Sequence, residues 1–297
     1  MNLSFPQRRG SGATGAERAA EPQDMAADLA RRRRYLTGFG AALGGPANVI
    51  MQLSLPPVGR GVVESVVESG SFAAHPVKRG RTTLTYLAVA MVGTDEDRAD
   101  YRAAVGTAHR QVRSGPDSPV RYNAFDPRLQ LWVAACLYRG TLDSLTWLYG
   151  GLDDTFADEL YRDAARFGTT LQMPADLWPA DRAAFARYWD SMQGSLSFDP
   201  EVRAYLLEQV VGLGPYRPHT RFVFRRANRF FTTGFLPPWF RAELGLSWSP
   251  REQRVFEVLL RTAGRLLTVL PASLRMQPFD YYLADMRRRR AAGRRLV

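Results

Sequence analysis

The chain has 297 residues, 45% of them hydrophobic and 11% aromatic, which is enough to bury a sizeable core and excludes a disordered protein. Its single cysteine, Cys136, excludes a disulfide framework, a zinc finger and an iron–sulfur centre. The formal net charge is +11, yet residues 1–34 hold +3 of it and residues 287–297 hold +6, so the stretch between them, at +2, lacks the charge of a nucleic-acid-binding domain.

Residues 1–34 are rich in Ala, Gly, Arg and acids and have no apolar core of a secretory signal. Arg8-Arg9 is followed by Gly10-Ser11-Gly12-Ala13 where an export signal needs apolar residues. A cytoplasmic protein with a disordered N-terminal extension over 1–27 is the expectation. The longest apolar run, Leu84 to Val92, is too short to span a bilayer, so no transmembrane segment is expected.

From Tyr35 the pattern is helical. Gly38 to Gly45 is glycine-rich and opens a run, Ala47 to Leu53, that reads as a buried helix. Residues 79–92 read as the next helix. Thr94 is a good N-cap with Asp97 at the third helical position, and Tyr101, Val105, Ala108 and Val112 make an apolar stripe up to Gly115-Pro116. Asp126-Pro127 starts another helix, the carboxylate capping and the proline taking the first helical position, with Leu129, Trp132, Ala135 and Cys136 on its buried face. Residues 155–167 follow. After Trp178-Pro179 a helix with Asp181 at its positive end carries Phe185, Tyr188 and Trp189. Residues 201–211 and 220–233 also read as helices. Ser249-Pro250 with Glu252 is a capping box for a helix running through Val255, Leu259 and Leu266 toward Pro271. With few strand-like runs and no shift in composition, the fold class is all-α: one helical domain over 28–285, followed by a basic tail over 286–297.

Three histidines are present. His75 and His219 adjoin prolines and read as loop residues, whereas His109 flanks the apolar face of an amphipathic helix. A neutral imidazole there suits either a metal or haem iron, or a core histidine held by one hydrogen bond. Arg79 and Thr83 are four apart and share a helix face; they suit a cofactor carboxylate or bound oxygen, or equally solvent and the helix's own carbonyls. Glu64 and Glu68 are also four apart; Glu68 is a candidate buried base, but the histidines of a di-iron site are missing. Phe222, Phe224, Phe230, Phe231, Phe235, Trp239 and Phe240, with Leu236, line either an apolar ligand cavity or a core. Arg31 to Arg34 and Arg287 to Arg290 form two basic clusters that could meet phosphates or simply be solvated ends, and no specific nucleic-acid partner is expected.

The order of several short segments resembles the rubber oxygenase (latex-clearing protein) and MpaB-type oxygenase catalytic domain family. They are Gly44-Gly45-Pro46, Gln52-Leu53-Ser54-Leu55-Pro56, Pro76-Val77-Lys78-Arg79 with Thr83, Val92-Gly93-Thr94, His109-Arg110-Gln111-Val112-Arg113, Leu131-Trp132-Val133, Gly234-Phe235-Leu236-Pro237 and Leu246-Ser247-Trp248-Ser249. The resemblance implies an all-α, single-domain bundle, globin-like in packing, around a pocket for haem b. It implies that His109 is the axial ligand of the iron and that Arg79 and Thr83 lie by the haem. The activity it implies is a haem-dependent oxygenase using dioxygen to attack or cleave a C=C bond in a small apolar, isoprenoid-type substrate. A helical binding or scaffold domain without haem chemistry is the alternative. The chain departs from the family where Ala134 follows Trp132-Val133 in place of a histidine, where Leu55 precedes Pro56, and where Thr82 stands at a position that some relatives fill with a lysine.

Overall fold

The computed structural model describes residue 33 and residues 36–65 and 74–297. Among these, every regular element is a helix, and the one strand-like pairing is an isolated antiparallel bridge between Arg113 and Asn123. The helices are α1 (Gly38–Leu53), α2 (Pro56–Val63), α3 (Pro76–Val92), α4 (Asp95–His109), α5 (Pro127–Tyr149), α6 (Asp154–Ala164) and α7 (Arg166–Thr169). After them come α8 (Arg182–Met192), α9 (Pro200–Tyr205), α10 (Pro218–Phe235), α11 (Pro238–Leu244), α12 (Pro250–Val269), α13 (Ala272–Arg275) and α14 (Phe279–Ala291). The protein is thus an all-α, single-domain bundle. No helix among the described residues is long and apolar enough to cross a membrane.

Local chemistry starts the helices where the sequence placed the starts. The Asp97 amide donates to Thr94 Oγ1 at 3.2 Å while the Thr94 amide donates to Asp97 Oδ2 at 3.0 Å, a complete capping box for α4. Asp126 accepts from the Arg128 amide, Asp181 from the Ala184 amide, and Ser249 with Glu252 forms the second capping box. Each such cap is worth about 1 kcal/mol. The end of α4 differs from the expectation. It closes at His109 rather than near Arg113, because residues 112–114 turn out to pair with residues 122–124. Ser114 donates to the Tyr122 carbonyl at 2.9 Å and Ala124 to the Val112 carbonyl at 2.9 Å. That pairing makes a short loop which folds back over the end of α4.

The centre of the bundle is α5, buried on nearly all sides from Gln130 to Tyr138. α1 lies against one side of it, α12 against another, and α6 and α7 against a third. The glycine-rich segment thought to precede α1 is its first half. A Cβ on Gly40 would stand 3.2 Å from Leu148 and one on Gly44 3.1 Å from the Ser144 hydroxyl, so the glycines let α1 approach α5 closely. Further along, Asn48 donates to the Cys136 carbonyl at 2.6 Å, in space that Gly140 leaves open, and the Trp132 indole donates to the Gln52 carbonyl at 3.1 Å. Trp132, fully buried, stacks on Trp189 of α8 at 5.1 Å between ring centroids. Burying side chains of this kind contributes about 1.5–3 kcal/mol each.

Two segments bend where the sequence reads as one helix. Residues 155–167 break at Ala165 into α6 and α7. Residues 201–211 begin as α9 and widen into a π-helical turn over Leu206–Val211. Asn228 of α10 donates to the carbonyls of Val210 and Val211, each at 3.0 Å, at the end of that widened turn.

On α12 the buried seam is Phe256, Leu260, Gly264 and Leu267, so Val255, Leu259 and Leu266 are exposed. Phe235 and Phe240 join the core, Phe230 and Phe231 pack against Phe256 at 6.2 and 6.4 Å, and Phe222 and Phe224 are exposed. The basic C-terminal stretch, rather than a solvated end, begins as the last turns of α14, which buries Phe279, Leu283 and Met286 against the bundle and packs on α3. Its arginines are paired: Arg287 with Asp97, Arg289 with Asp285, Arg290 with Asp100. Of the first basic cluster only Arg33 is described, and it makes a two-pronged pair with Asp280 at 2.7 and 2.9 Å.

Candidate functional site

His109 is the last residue of α4, and Arg79 sits one turn into the neighbouring α3. The antiparallel packing of these helices brings Arg79 within electrostatic reach of the His109 ring. The Tyr101 hydroxyl donates to the Thr82 carbonyl at 2.7 Å and fixes one helix on the other. Tyr86 of α3 lies 6.3 Å from Tyr101, ring to ring, and donates to the Phe167 carbonyl. Arg79 acts electrostatically on Tyr101 and Tyr205 as well, which places α9 on the same side.

The imidazole itself is held on two sides. The Phe125 ring meets it edge-on at 6.2 Å, carried there by the folded-back loop that ends α4. Gln172 hydrogen-bonds to it. Gln172 is in turn locked to Gln130 of α5: its backbone N–H donates to Gln130 Oε1 at 3.0 Å, and Gln130 Nε2 donates to Gln172 Oε1 at 2.9 Å and to the Ala124 carbonyl at 2.8 Å.

A histidine at the C-terminal end of a helix ordinarily gains proton affinity from the helix dipole. Here burial and then the Arg79 charge push the other way, while the Gln172 hydrogen bond opposes them weakly, and the ring titrates at about 4. It is therefore neutral at neutral pH. Its Nδ1 is buried and has no hydrogen-bond partner. A neutral imidazole with an unpaired nitrogen is the form in which histidine gives a lone pair to a metal. The donor chemistry thus suits a haem iron, which His109 would hold. Among the described residues no group of three or more His, Cys, Asp or Glu side chains could hold a bare metal ion.

Of the other sequence candidates, Arg79 is exposed and Thr83 half-buried on the same helix face. The threonines that return their hydroxyls to helix carbonyls are their neighbours: Thr82 donates to Arg79 O and Thr85 to Arg81 O. Glu68 lies outside the described residues. Glu64, its partner in the sequence pattern, is committed to Arg60 at 3.5 Å and accepts from the Tyr122 hydroxyl at 3.0 Å. It borders a cleft of about 340 Å³ together with Arg113, Asp117 and Tyr122 on the loop that follows His109. Gln130 and Gln172 carry no signal in the sequence, because a buried amide pair has no periodicity or motif. Phe125 precedes the Asp126 cap and carries no signal of its own.

The family model described as ER-bound oxygenase mpaB/B'/Rubber oxygenase, catalytic domain, matches residues 32–265. The chain belongs to this oxygenase family. It is also 52% identical over 251 residues to proteins of Mycobacterium tuberculosis and Mycobacterium bovis, each described as uncharacterized, covering 84% of this chain and 98% of theirs. No solved structure matches it. Membership supports an oxygenase-type function, and the residues of the family resemblance, His109, Arg79 and Thr83, fall at the paired ends of α3 and α4.

Proposed function

We propose that the protein is a haem-b-dependent oxygenase in which His109 is the axial ligand of the iron. The observation that carries this reading is the buried Nδ1 of a neutral His109, left without a partner in an otherwise hydrogen-bonded neighbourhood. It is the only imidazole nitrogen among the buried side-chain polar atoms without a hydrogen-bond partner in the described residues, and a metal bond would satisfy it. When bound, the haem would supply dioxygen chemistry directed at a C=C bond of an apolar, isoprenoid-type substrate.

The chain's own residues have defined tasks in this scheme. His109 would hold the iron through one nitrogen lone pair, and it stays neutral because burial and the Arg79 charge keep protons off it. Gln172, fixed by Gln130, and the edge of Phe125 set the plane of the imidazole. Arg79 presents a guanidinium that would suit a haem propionate, and Thr83 offers a hydroxyl on the same face. The helical domain over 28–285 would form the shell, in the cytoplasm. A role for Glu68 as a base is part of the same proposal.

The test is the colour of the protein. Full-length protein from a haem-replete host is expected to show a Soret band, and His109→Ala to lose it while keeping its helical circular dichroism. A colourless wild-type preparation that takes up no haem and consumes no dioxygen favours the scaffold reading instead.

A further inference from the structure

α10 is anchored at one end only. Thr232, Thr233, Gly234 and Phe235 are buried, and Phe230, Phe231 and Phe235 surround the Phe256 ring. The other half stands out from the bundle. Phe222 is 89% exposed, Val223 62% and Phe224 58%, three large apolar residues in succession on a surface where such residues normally occur singly. Phe222 shares a helix face with Arg225, Arg226 and Arg229. Between Glu208 and Glu243 the chain carries Arg217, Arg221, Arg225, Arg226, Arg229 and Arg241 and no acid at all. Arg217, Arg221, Arg225 and Arg226 take part in none of the ion pairs among the described residues, in contrast to the paired arginines of α14.

We infer that the projecting half of α10 is a docking surface for an anionic lipid bilayer, with Phe222, flanked by Val223, entering the headgroup–acyl boundary and Arg225, Arg226 and Arg229 around it meeting lipid phosphates. A basic helix face with an exposed aromatic residue at its centre suits a membrane interface. Charge chooses this occupant over a second copy of the chain, since a two-fold axis on α10 would set the same arginines against each other with no acid to relieve them. Phe224 also lines a cleft of about 370 Å³ between α1 and α10, with Leu43, Pro46, Tyr216 and Phe231 on its other walls. The inference stands on the surface alone and is independent of the haem assignment.

The experiment is co-sedimentation of the full chain with vesicles of phosphatidylcholine alone and with an added fraction of phosphatidylglycerol. About tenfold more protein is expected to pellet with the anionic vesicles, and the excess should shrink as salt is raised. Two double variants on exposed positions, Phe222→Glu with Phe224→Glu and Arg225→Glu with Arg226→Glu, should each abolish the excess while circular dichroism stays unchanged. Absence of anionic-vesicle binding, equal binding to neutral vesicles, or binding untouched by both double variants overturns the inference. So does a wild-type dimer in solution that the Phe222/Phe224 variant dissolves without any vesicle binding, since that result gives the surface to a second copy.

Discussion

The guanidinium of Arg287 reaches the carboxylate of Asp97 at 2.6 Å, and Asp97 is only 1% exposed. The same carboxylate closes the capping box of α4, so the last helix of the chain is tied to the first turn of the helix that ends in His109. Burial alone would raise the Asp97 carboxyl, but Arg287 and Thr94 together hold it below the ordinary carboxylate value. Arg287→Ala leaves that charge buried with fewer partners. We expect a loss of about 2 kcal/mol, seen as a drop in Tm of about 5 °C in a chain of this size.

The same pair sets an acid limit. Because the native Asp97 binds its proton less readily than the unfolded chain does, its contribution is complete above the ordinary carboxylate range, at pH above about 4. It is lost as pH falls through the lower native value. Arg287→Ala should lower Tm most above pH 4, and the gap to wild type should narrow as pH falls, because the wild type loses there a pairing that the variant already lacks. Melting curves across that range, with parallel acid limbs for the two proteins, would contradict this.

A second prediction concerns the seam between α12 and α5. A Cβ on Gly264 would lie 1.8 Å from the Leu148 carbonyl oxygen, which is backbone and cannot step aside. Gly264→Ala should cost about 3 kcal/mol or prevent folding, although alanine is the better helix former in isolation. Gly80→Ala, on a helix with open space beside it, is the control and should leave Tm unchanged or raise it. Denaturant unfolding of the two variants separates packing from propensity.

Thr94, Asp126, Asp181 and Ser249 were legible as helix starts because capping is a local transaction between a side chain and amides two or three residues away. The end of α4 was not, since it depends on residues 112–114 finding residues 122–124. The helical state of Gly38–Gly45 was hidden for a related reason: its glycines are explained by Ser144 and Leu148, about a hundred residues away in sequence. Arg287 and Arg290 read as a solvated run because nothing local marks Asp97 and Asp100 as their partners. In the candidate site, His109, Arg79 and Thr83 were visible as residue types on helix faces. Gln130 and Gln172 were not, because a pair of amides 42 residues apart is defined only by the fold.

That amide pair yields a prediction of its own. Gln130→Leu fills similar space but leaves the Gln172 amide nitrogen and the Ala124 carbonyl without their partner. The expected cost is about 2 kcal/mol. Gln172 also loses its fixed position beside His109, and the loop carrying Phe125 loses its tie to α5. Haem retention, measured as Soret absorbance per protein after gel filtration, should fall by more than in a control variant of equal Tm. Equal retention would reduce the pair to a purely structural role.

The final prediction separates ligation from packing at His109. His109→Gly removes the imidazole and opens a space bounded by Phe125 and Gln172, while leaving the capping box at the other end of α4 untouched. The variant should lose the Soret band. Free imidazole added to it should restore haem binding, because the missing lone pair can then be supplied from solution into the vacated place. A side chain serving only as core filler would give a different result: Tm would recover with imidazole or with His109→Leu, and the spectrum would stay blank in both. Measuring absorbance and Tm on the same samples, with and without imidazole, decides between the two roles.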